Sequence, residues 1–428
     1  MRLKVEYFPI WLIVAPLLLV NCDNEQDLHD MTQNELPVIH WSAAWDNEMT
    51  FRYEMLENTE STILYTAVPD SGTFNHHNYI TWHDGVLFAL WDNHLRDENG
   101  SGQRTLMRRS IDQGVSWEPI VELFPSMDEM VPASVAKIGR RFHNLQGFAE
   151  VKGTLYAIID VSDWGGTGPG WQERERVHQG RMARSISAGG EMGEIFWLTH
   201  GIPPEPVVGF SAYAAGDPGL VDRINTFLQM PQNQPQLDFT SGHPTSDDGH
   251  RMAEPTSPWR LDDGTMVRFY RDAGIRNPVD AEERERSRPR RNYAAFSFDD
   301  GKTWTTPTRT SYPDVTARTD VGTLPDGRVY VINNMIPLPN RLGGRQLLGI
   351  SLSDDGLNFD RSALLHFLAP PRRYAGRAKA VGYQYPHSVV VENDIWVLLS
   401  VNKEDIMVIR IPINELDKLP YYKYYGYK

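Results

Sequence analysis

Short hairpin units recur along this chain of 428 residues, and they constrain its fold more than any other feature. Each unit has two apolar runs joined by a tight turn of the Asp-Gly type, which is the pattern of two antiparallel strands. The clearest copies are WHDGVLFALW, LDDGTMVRFY and LPDGRVYVIN, with variants in EVKGTLYAII and VENDIWVLLS. The chain is therefore predicted to be all-β.

A second motif follows several of these hairpins. Ser-x-Asp-x-Gly-x-x-Trp is present in SIDQGVSWEP (110–119) and SFDDGKTWTTP (297–307), and LSDDGLNF (352–359) keeps the aspartate, the glycine and an aromatic residue. This is the Asp-box, a β-turn in which the carboxylate binds turn amides, the glycine permits positive φ and the aromatic ring packs beneath. Such turns connect the outer strands of propeller blades. Asp112, Asp299 and Asp354 are accordingly expected on outer turns.

The spacing of the units predicts a single β-propeller, and its Asp-box turns resemble those of sialidases. Units of about 50 to 65 residues between positions 38 and 415 give seven blades, with six as the fallback. Residues 38–428 are taken as this one catalytic domain, and residues 214–230 could hold a short helix in an insertion.

The N-terminal segment has the pattern of a targeting sequence. MRLKVEYFPIWLIVAPLLLVNC places two basic residues before an apolar core that is too short for a comfortable membrane span. Its end resembles a bacterial lipobox, in which Cys22 is lipidated. We predict a lipoprotein signal peptide over residues 1–22, a flexible tether over residues 23–37, and a protein anchored in the bacterial cell envelope on the surface or periplasmic face of the outer membrane.

Charge and cysteine content restrict the possible partners and chemistry. The formal net charge is −14, which argues against a nucleic-acid partner. An acidic glycan would have to bind a local basic patch. Cys22 is the only cysteine, so the folded domain has no intrachain disulfide, cysteine nucleophile or cysteine-rich zinc site. We expect a monomer that requires no cofactor, and a structural calcium or zinc ion is not indicated.

One hairpin is unusually rich in histidine. FNHHNYITWHDGVLFALWDNH (74–94) holds four of the thirteen histidines in the chain. A hairpin returns its far end beside its start, so His77 and His94 are expected to meet. The apolar alternation already supplies a core, and histidine carries protons near neutral pH. The pair is therefore predicted to act in proton transfer.

Two propeller families share features with this sequence. The Phe/Tyr-Arg-Ile-Pro motif of sialidases is missing from residues 38–75, although EPTSPWRLDDGTMVRFYRD resembles their Glu-Pro…Asp-Gly…Arg segment, with Glu254 and Arg271. The closer resemblance is to secreted seven-bladed ulvan lyases and rhamnose–glucuronate lyases. It is carried by the histidine hairpin with WDNHLRDENGSGQR, by RFHNLQGFAEVKGTLYA, by EPTSPW…FYRD and by GYQYPHSVVVENDIWVLLSVNKEDIMVIRIP.

This second resemblance implies β-elimination on an acidic, uronate-containing (ulvan-type) poly- or oligosaccharide, giving a 4,5-unsaturated uronate. In those lyases a histidine pair, a tyrosine and an arginine surround the uronate. The matching residues are His77 and His94, Arg181 and Tyr213, with Tyr156 competing for the tyrosine position. Arginine would neutralise the carboxylate while histidine and tyrosine move protons. The expected substrate-binding residues are His76, His143, Glu254, Arg271, Tyr385 and His387.

Three other functions remain open at this point. An oligosaccharide dehydratase would expel water from a terminal uronate by the same chemistry. A sialidase-like exo-glycoside hydrolase would use Glu254, with Asp92 or Asp217 as the second carboxylate. A surface glycan-binding lipoprotein would keep the aromatic and basic groups without catalysis.

Overall fold

The structure is a computed structural model, and it divides the chain into two units, residues 1–37 and 38–428. The described residues are 36–41, 53–132, 139–165, 176–234, 244–275, 279–280, 282–283, 291–313, 315–335 and 344–422. The predicted signal peptide, Cys22 and nearly all of the tether lie outside them. Among the described residues no helix is long and apolar enough to span a membrane.

The two first strands of the domain complete sheets that are built from its C-terminal part. Strand β1 (His40–Trp41) places His40 opposite Asn358, and β2 (Glu60–Tyr65) places Glu60 opposite Arg410. This pairing of the start of the domain with its end ties the termini together and covers two sheet edges that would otherwise be unpaired.

The histidine hairpin opens the first four-stranded sheet. Its strands are β3 (Phe74–His83), β4 (Val86–His94), β5 (Arg104–Ser110) and β6 (Val121–Phe124), paired in that order. Every residue of β4 is buried, because neighbouring sheets cover both of its faces.

The second sheet has the same antiparallel order. It consists of β7 (Arg141–Val151), β8 (Thr154–Trp164), β9 (Arg176–Ile186) and β10 (Met192–Trp197). Apolar side chains of β8 pack with those of the first sheet in one continuous core, as Ile159 does with Leu90.

The segment between the second and third sheets, residues 198–251, is as long as a blade, and its described residues (198–234 and 244–251) contain a helix and no sheet of their own. Helix α1 (Pro218–Gln229) begins at Asp217, whose carboxylate accepts a hydrogen bond from the Leu220 amide at 3.0 Å. Its apolar face, with Val221 and Ile224, packs on the second sheet. The predicted short helix in residues 214–230 is therefore present.

The third sheet follows. Its strands are β11 (Met252–Ala253), β12 (Trp259–Arg260), β13 (Met266–Asp272), β14 (Arg291–Ser297) and β15 (Thr308–Pro313). Both β11 and β12 pair antiparallel with β13, so they act as one interrupted inner strand.

The fourth sheet lies between the third and the last. Strands β16 (Asp320–Thr323), β17 (Val329–Asn333), β18 (Leu347–Ser353) and β19 (Asn358–Phe367) pair in sequence, and β1 adds parallel to β19.

The fifth sheet closes the ring. It contains β20 (Tyr383–Val391), β21 (Asp394–Val401) and β22 (Asp405–Pro412), with β2 as its outer strand, and the short helix α2 (Ile413–Leu416) follows. Apolar residues of this sheet pack on the fourth sheet through Val397 and on the first through Leu398.

The protein is an all-β propeller, and the described residues form five blades. The prediction of seven blades, or six, is wrong. It assumed that every blade-length segment forms a sheet, whereas the described residues between 198 and 251 contribute α1 and short turns.

The Asp-box turns join the third and fourth strands of their blades, as predicted for Asp112 and Asp299. The Ser110 hydroxyl donates to Asp112 Oδ1 at 2.7 Å, and the Ser297 hydroxyl donates to Asp299 Oδ1 at 2.8 Å. In the third copy the Ser353 hydroxyl donates to Asp355 at 3.0 Å. The turn aspartate is thus Asp355, and the predicted Asp354 instead pairs with Arg361.

Candidate functional site

Polar side chains from the five inner strands, or from positions beside them, converge at the centre of the propeller. The contributing residues are His77 on β3, Asn144 on β7, Glu254 after β11, Arg318 before β16 and Tyr385 on β20. All five are at most 9 % exposed. Burying so many polar groups in one place is costly unless each has a hydrogen-bond partner. The centre of the propeller is therefore the candidate functional site.

Three of these residues have strained backbones. His77, Glu254 and Tyr385 have φ angles of 48°, 47° and 55°, in the left-handed region that non-glycine residues rarely adopt. The register shifts between His76 and Tyr79 and again between Gln384 and His387, so His77 and Tyr385 lie on β-bulges. Bulges re-aim side chains, and such strain concentrates at functional sites.

The Tyr385 hydroxyl lies between a cation and a carboxylate. It accepts a hydrogen bond from Arg271 Nη1 at 2.7 Å and donates to Glu254 Oε1 at 3.3 Å, and Arg271 Nη1 also binds Glu254 Oε1 at 2.7 Å. Burial raises the pKa of Tyr385 to about 12, so the phenol is neutral at pH 7. Burial also acts to raise the pKa of Glu254, but the charges of Arg271 and Arg318 outweigh it and lower that pKa. The result is a neutral phenol beside an ionised carboxylate.

Four cations surround the Tyr385 ring. Their charged groups lie 5.0 to 5.9 Å from its centroid, and they belong to Arg318, Arg345, Lys403 and Arg271. Arg345 is held by Gln384 and by the carbonyl of Thr316. Positive charge is therefore concentrated around the Tyr385 ring.

Arg318 differs from the other cations in its partners. Its side chain is fully buried, and among the described residues none of its three guanidinium nitrogens has a hydrogen-bond partner. It is in contact with the rings of Tyr79, at 4.9 Å, and Tyr385, at 5.0 Å. A guanidinium without an acceptor would bind an anion that reached it.

His77 lies between two carboxylates. Its Nδ1 is 3.1 Å from Asp92 Oδ2, and its Nε2 is 3.1 Å from Glu98 Oε1. The other oxygen of Glu98 accepts from Lys403 Nζ at 2.6 Å. Burial acts to lower the pKa of His77, but the bonds to Asp92 and Glu98 outweigh it and raise that pKa.

His76, His77 and Glu98 are close enough together to hold a metal ion, since one ligand atom from each lies within 4.8 Å of the others. The surrounding charge opposes this. Lys403 already binds Glu98, and the charges of Lys403, Arg345 and Arg318 add to burial in lowering the pKa of His76. A dication here would face several fixed cations.

Of the predicted substrate-binding residues, the structure brings four into this centre or onto its wall. Glu254, Arg271 and Tyr385 form the bonded group described above. His76 packs at a tilt against Tyr385 with ring centroids 4.1 Å apart, and its Nδ1 bonds to Ser400 Oγ at 2.8 Å.

His94 is not brought together with His77. It stands opposite Phe74, three residues along the strand, and Asp92 takes the predicted place beside His77. Its Nδ1 accepts from the Asp97 amide and its Nε2 donates to the Ser101 carbonyl, at 3.1 and 3.2 Å. Burial lowers its pKa to about 4. This neutral ring organises the loop that carries Glu98.

His143 and His387 lie close to the centre but contact neither His77 nor Glu254. His143 Nε2 bonds to the Thr105 hydroxyl at 3.0 Å, and that hydroxyl donates to Asp92. The ring of His387 packs at a tilt against that of Tyr79, with centroids 4.8 Å apart, and its Nδ1 accepts from the Ile80 amide. Both rings pack between blades.

The predicted arginine and tyrosine are elsewhere. Arg181 pairs with Asp160 at 2.9 Å within the second sheet. Tyr213 is in a half-buried position near Arg184, and Tyr156 packs in the core beside α1. The arginine of β9 that reaches Asn144 is Arg176, at 2.5 Å.

Sequence reasoning missed several members of the site. Glu98, Arg318, Arg345 and Lys403 come from loops or turns with no motif of their own. Asp92 was considered only as a second carboxylate for a hydrolase. Asp217, the other candidate for that role, caps α1. A signal existed for Glu98, since it follows the histidine hairpin directly in RDENGSGQ.

Comparisons with known proteins agree with this architecture. The BNR repeat-like domain family matches residues 256–397. A solved sialidase structure superposes with a TM-score of 0.63 at 21% identity, over 88% of this chain and 35% of that one. A Hadza microbial sialidase gives a TM-score of 0.51 at 14% identity, over 83% and 68%. No curated protein matches the sequence.

These comparisons support the propeller fold, with a BNR repeat-like domain over residues 256–397, and correct the predicted activity. The chain spans 35% of the first sialidase, and the likeness is one of fold. The predicted carbon–oxygen lyase, whether polysaccharide lyase or dehydratase, is contradicted because the similar solved structures are sialidases, which are glycoside hydrolases. They support the propeller fold that the resemblance to ulvan lyases implied, but they give no support for a relationship to those lyases.

Proposed function

We propose that this protein is an exo-acting glycoside hydrolase that removes a terminal acidic sugar from a glycan, with Tyr385 as its nucleophile. The observation that carries the proposal is the position of the Tyr385 hydroxyl, bonded to both Arg271 and Glu254. Tyrosine serves as nucleophile in some glycosidases, and an adjacent base activates a weak nucleophile. Glu254 is that base.

The charge around the nucleophile defines the substrate class. Three arginines, Arg271, Arg318 and Arg345, lie within 6 Å of the Tyr385 ring and match the fork geometry of a carboxylate. A carboxylate bound there would lie beside the reacting carbon. An anionic nucleophile would be repelled by it, whereas a neutral phenol is not. The substrate is therefore a sugar acid whose carboxylate is attached at or next to the anomeric carbon.

The reaction then proceeds in two steps. Tyr385 Oη bonds to the anomeric carbon as its proton passes to Glu254 and the glycosidic bond breaks. Water attacks the resulting glycosyl–tyrosine, and Tyr385 recovers its proton from Glu254. The arginines hold the carboxylate throughout, and Arg271 also orients both reacting side chains.

The fold likeness to sialidases supports this proposal, as does the Glu254…Arg271 segment. The chain departs from sialidases in lacking their early Phe/Tyr-Arg-Ile-Pro motif. In the corresponding hairpin it has His76 and His77, and Arg318 offers an alternative anion-binding group.

The test uses 4-methylumbelliferyl α-N-acetylneuraminide and a 2,3-difluoro sialic acid, which traps glycosyl–enzyme intermediates. We expect fluorescent product from the wild-type protein and a peptide containing Tyr385 that gains the mass of the fluorosugar. Tyr385→Phe should lose roughly a thousandfold or more of kcat.

Tyr383→Phe is the matched control, since Tyr383 is equally buried on the same strand and stacks on His366 away from the centre. It should retain activity. Binding of sialic acid without any turnover would contradict the proposal and indicate a glycan-binding protein.

A further inference from the structure

We infer that His77, in its imidazolium form, is the group that protonates the leaving glycosidic oxygen, in place of a carboxylic acid. This inference rests on the proposed function, in which a nucleophile alone does not explain how an unactivated sugar alcohol departs. General acid catalysis supplies that step in glycosidases.

The hydrogen-bond geometry favours two hydrogens on the ring. Carboxylates only accept, and the ring nitrogens of His77 each lie 3.1 Å from one, Asp92 on one side and Glu98 on the other. The amide nitrogen of Asn144 is also 3.1 Å from Nδ1. Asp92 lies at the same distance and decides whether Nδ1 carries a hydrogen. A lone pair on Nδ1 would face the oxygen of Asp92 directly, so we place a hydrogen there.

Asp92 acts as a hydrogen-bond acceptor on independent grounds. Its Oδ2 accepts from the Leu145 amide at 2.9 Å and from Gln103 Nε2 at 3.2 Å, and its Oδ1 accepts from the Thr105 hydroxyl at 3.0 Å. A carboxyl group whose two oxygens accept from three donors besides the ring is placed to accept from His77 as well. Asp92 therefore positions His77 and stabilises its charge.

Glu98 is unsuited to the role of general acid because it has already lost its proton. Burial favours its neutral form, but Lys403 and His77 outweigh that effect and hold its pKa well below the ordinary value. A general acid must be protonated near the operating pH. Of the three groups, only the imidazole holds a transferable proton there.

The ring is also in the right place. Its centroid is 6.1 Å from that of Tyr385, on the scale of the roughly 5 Å between the two carboxyl groups of retaining glycosidases. Glu98 is the more open neighbour, with a side chain 15% exposed against 4% for His77. A rotation of Glu98 that keeps its bond to Lys403 would free Nε2–H for the substrate oxygen.

The proton balance closes over one turnover. The Nε2 proton moves to the glycosidic oxygen as the carbon–oxygen bond breaks and the alcohol departs. Neutral His77 then takes a proton from the water that attacks the anomeric carbon. The ring returns to imidazolium, and glycoside plus water has become free sugar plus alcohol.

The experiment compares leaving groups. Sialyllactose needs its departing oxygen protonated, whereas 4-methylumbelliferone leaves without help. We expect His77→Gln to lose about 10²- to 10⁴-fold in kcat/KM on sialyllactose and less than about 10-fold on the aryl sialoside. The alkaline limb of the pH profile, set by His77, should disappear. The control His83→Gln, on the same strand and paired with Glu150 at the surface, should match the wild type.

Equal losses on both substrates, or the leaving-group pattern in Glu98→Gln instead, would overturn the assignment. Failure of the wild type on both sialosides would instead count against the proposed function. A second readout needs no substrate: ¹⁵N NMR of histidine-labelled protein should show two N–H groups on His77 at pH 7. A neutral ring, or stoichiometric zinc bound through His76 and His77, would also refute the inference.

Discussion

Replacing Arg318 by methionine should make the protein more stable and less able to bind its ligand. The guanidinium is fully buried with no hydrogen-bond partner among the described residues. Removing an ion from water costs several kcal/mol after relaxation, whereas each of its two ring contacts returns about 0.5 to 2 kcal/mol. Methionine fills a similar volume without charge. We expect a gain of about 1 to 3 kcal/mol in the free energy of unfolding.

The change in the free energy of unfolding depends on whether the carboxyl groups near Arg318 are charged. The pH of the measurement is chosen for that reason. Burial raises the pKa of Asp320 to about 7, and Arg318 opposes that rise. At pH 6 Asp320 is largely protonated, so loss of Arg318 leaves no uncompensated charge there. Glu254 keeps its bond to Arg271 at 2.7 Å. The stabilisation should therefore be clearest at pH 6 and smaller at pH 8.

The assay is urea unfolding of the full chain at pH 6, followed by calorimetric binding of N-acetylneuraminic acid. Arg318→Met should raise the unfolding midpoint and weaken binding by about 10- to 100-fold, the value of one charged hydrogen bond. Arg141→Met is the control, since Arg141 is also buried but binds Asp163 with two nitrogens. It should destabilise by about 2 to 4 kcal/mol. A destabilised Arg318→Met, or one with unchanged affinity, would refute the reasoning.

Two further predictions concern parts of the chain away from the site. Asp299→Ala removes the acceptor for the Thr303 amide and hydroxyl in an Asp-box turn, so it should cost about 1 to 2 kcal/mol of stability and leave kcat unchanged. Chemical denaturation measures the stability and the fluorescent assay measures kcat. Loss of turnover in a stable variant would contradict this prediction. We also propose that Cys22 is lipidated: Cys22→Ala should move the protein from the membrane fraction to the soluble fraction, and continued membrane partitioning would rule this anchor out.

Local signals in the sequence were sufficient for the strands and the turns. Alternating apolar residues and Asp-Gly turns predicted the hairpins, because these features act between residues a few positions apart. The Asp-box aspartates Asp112 and Asp299 were placed correctly for the same reason. Glu254 and Arg271 were singled out because their segment resembles the Glu-Pro…Asp-Gly…Arg segment of sialidases, and the structure pairs Arg271 with Ala253, the residue before Glu254.

The number of blades was decided by tertiary structure. A blade-length segment, residues 198–251, carries a capped amphipathic helix that packs on the second sheet. Length alone cannot distinguish such a segment from a blade, because a sheet forms only where neighbouring strands are available to pair with it.

The composition of the site was also decided by tertiary structure. The sequence determined by itself that the chain is a β-propeller with proton-carrying side chains at the start of one hairpin. Only the fold paired His77 with Asp92 and Glu98 instead of His94, because a bulge re-aims His77 and places it outside the regular alternation of the strand. Lys403 reaches Glu98 from a turn 305 positions away. Contacts of that separation depend on ring closure, which joins the first and last blades and brings their charges together.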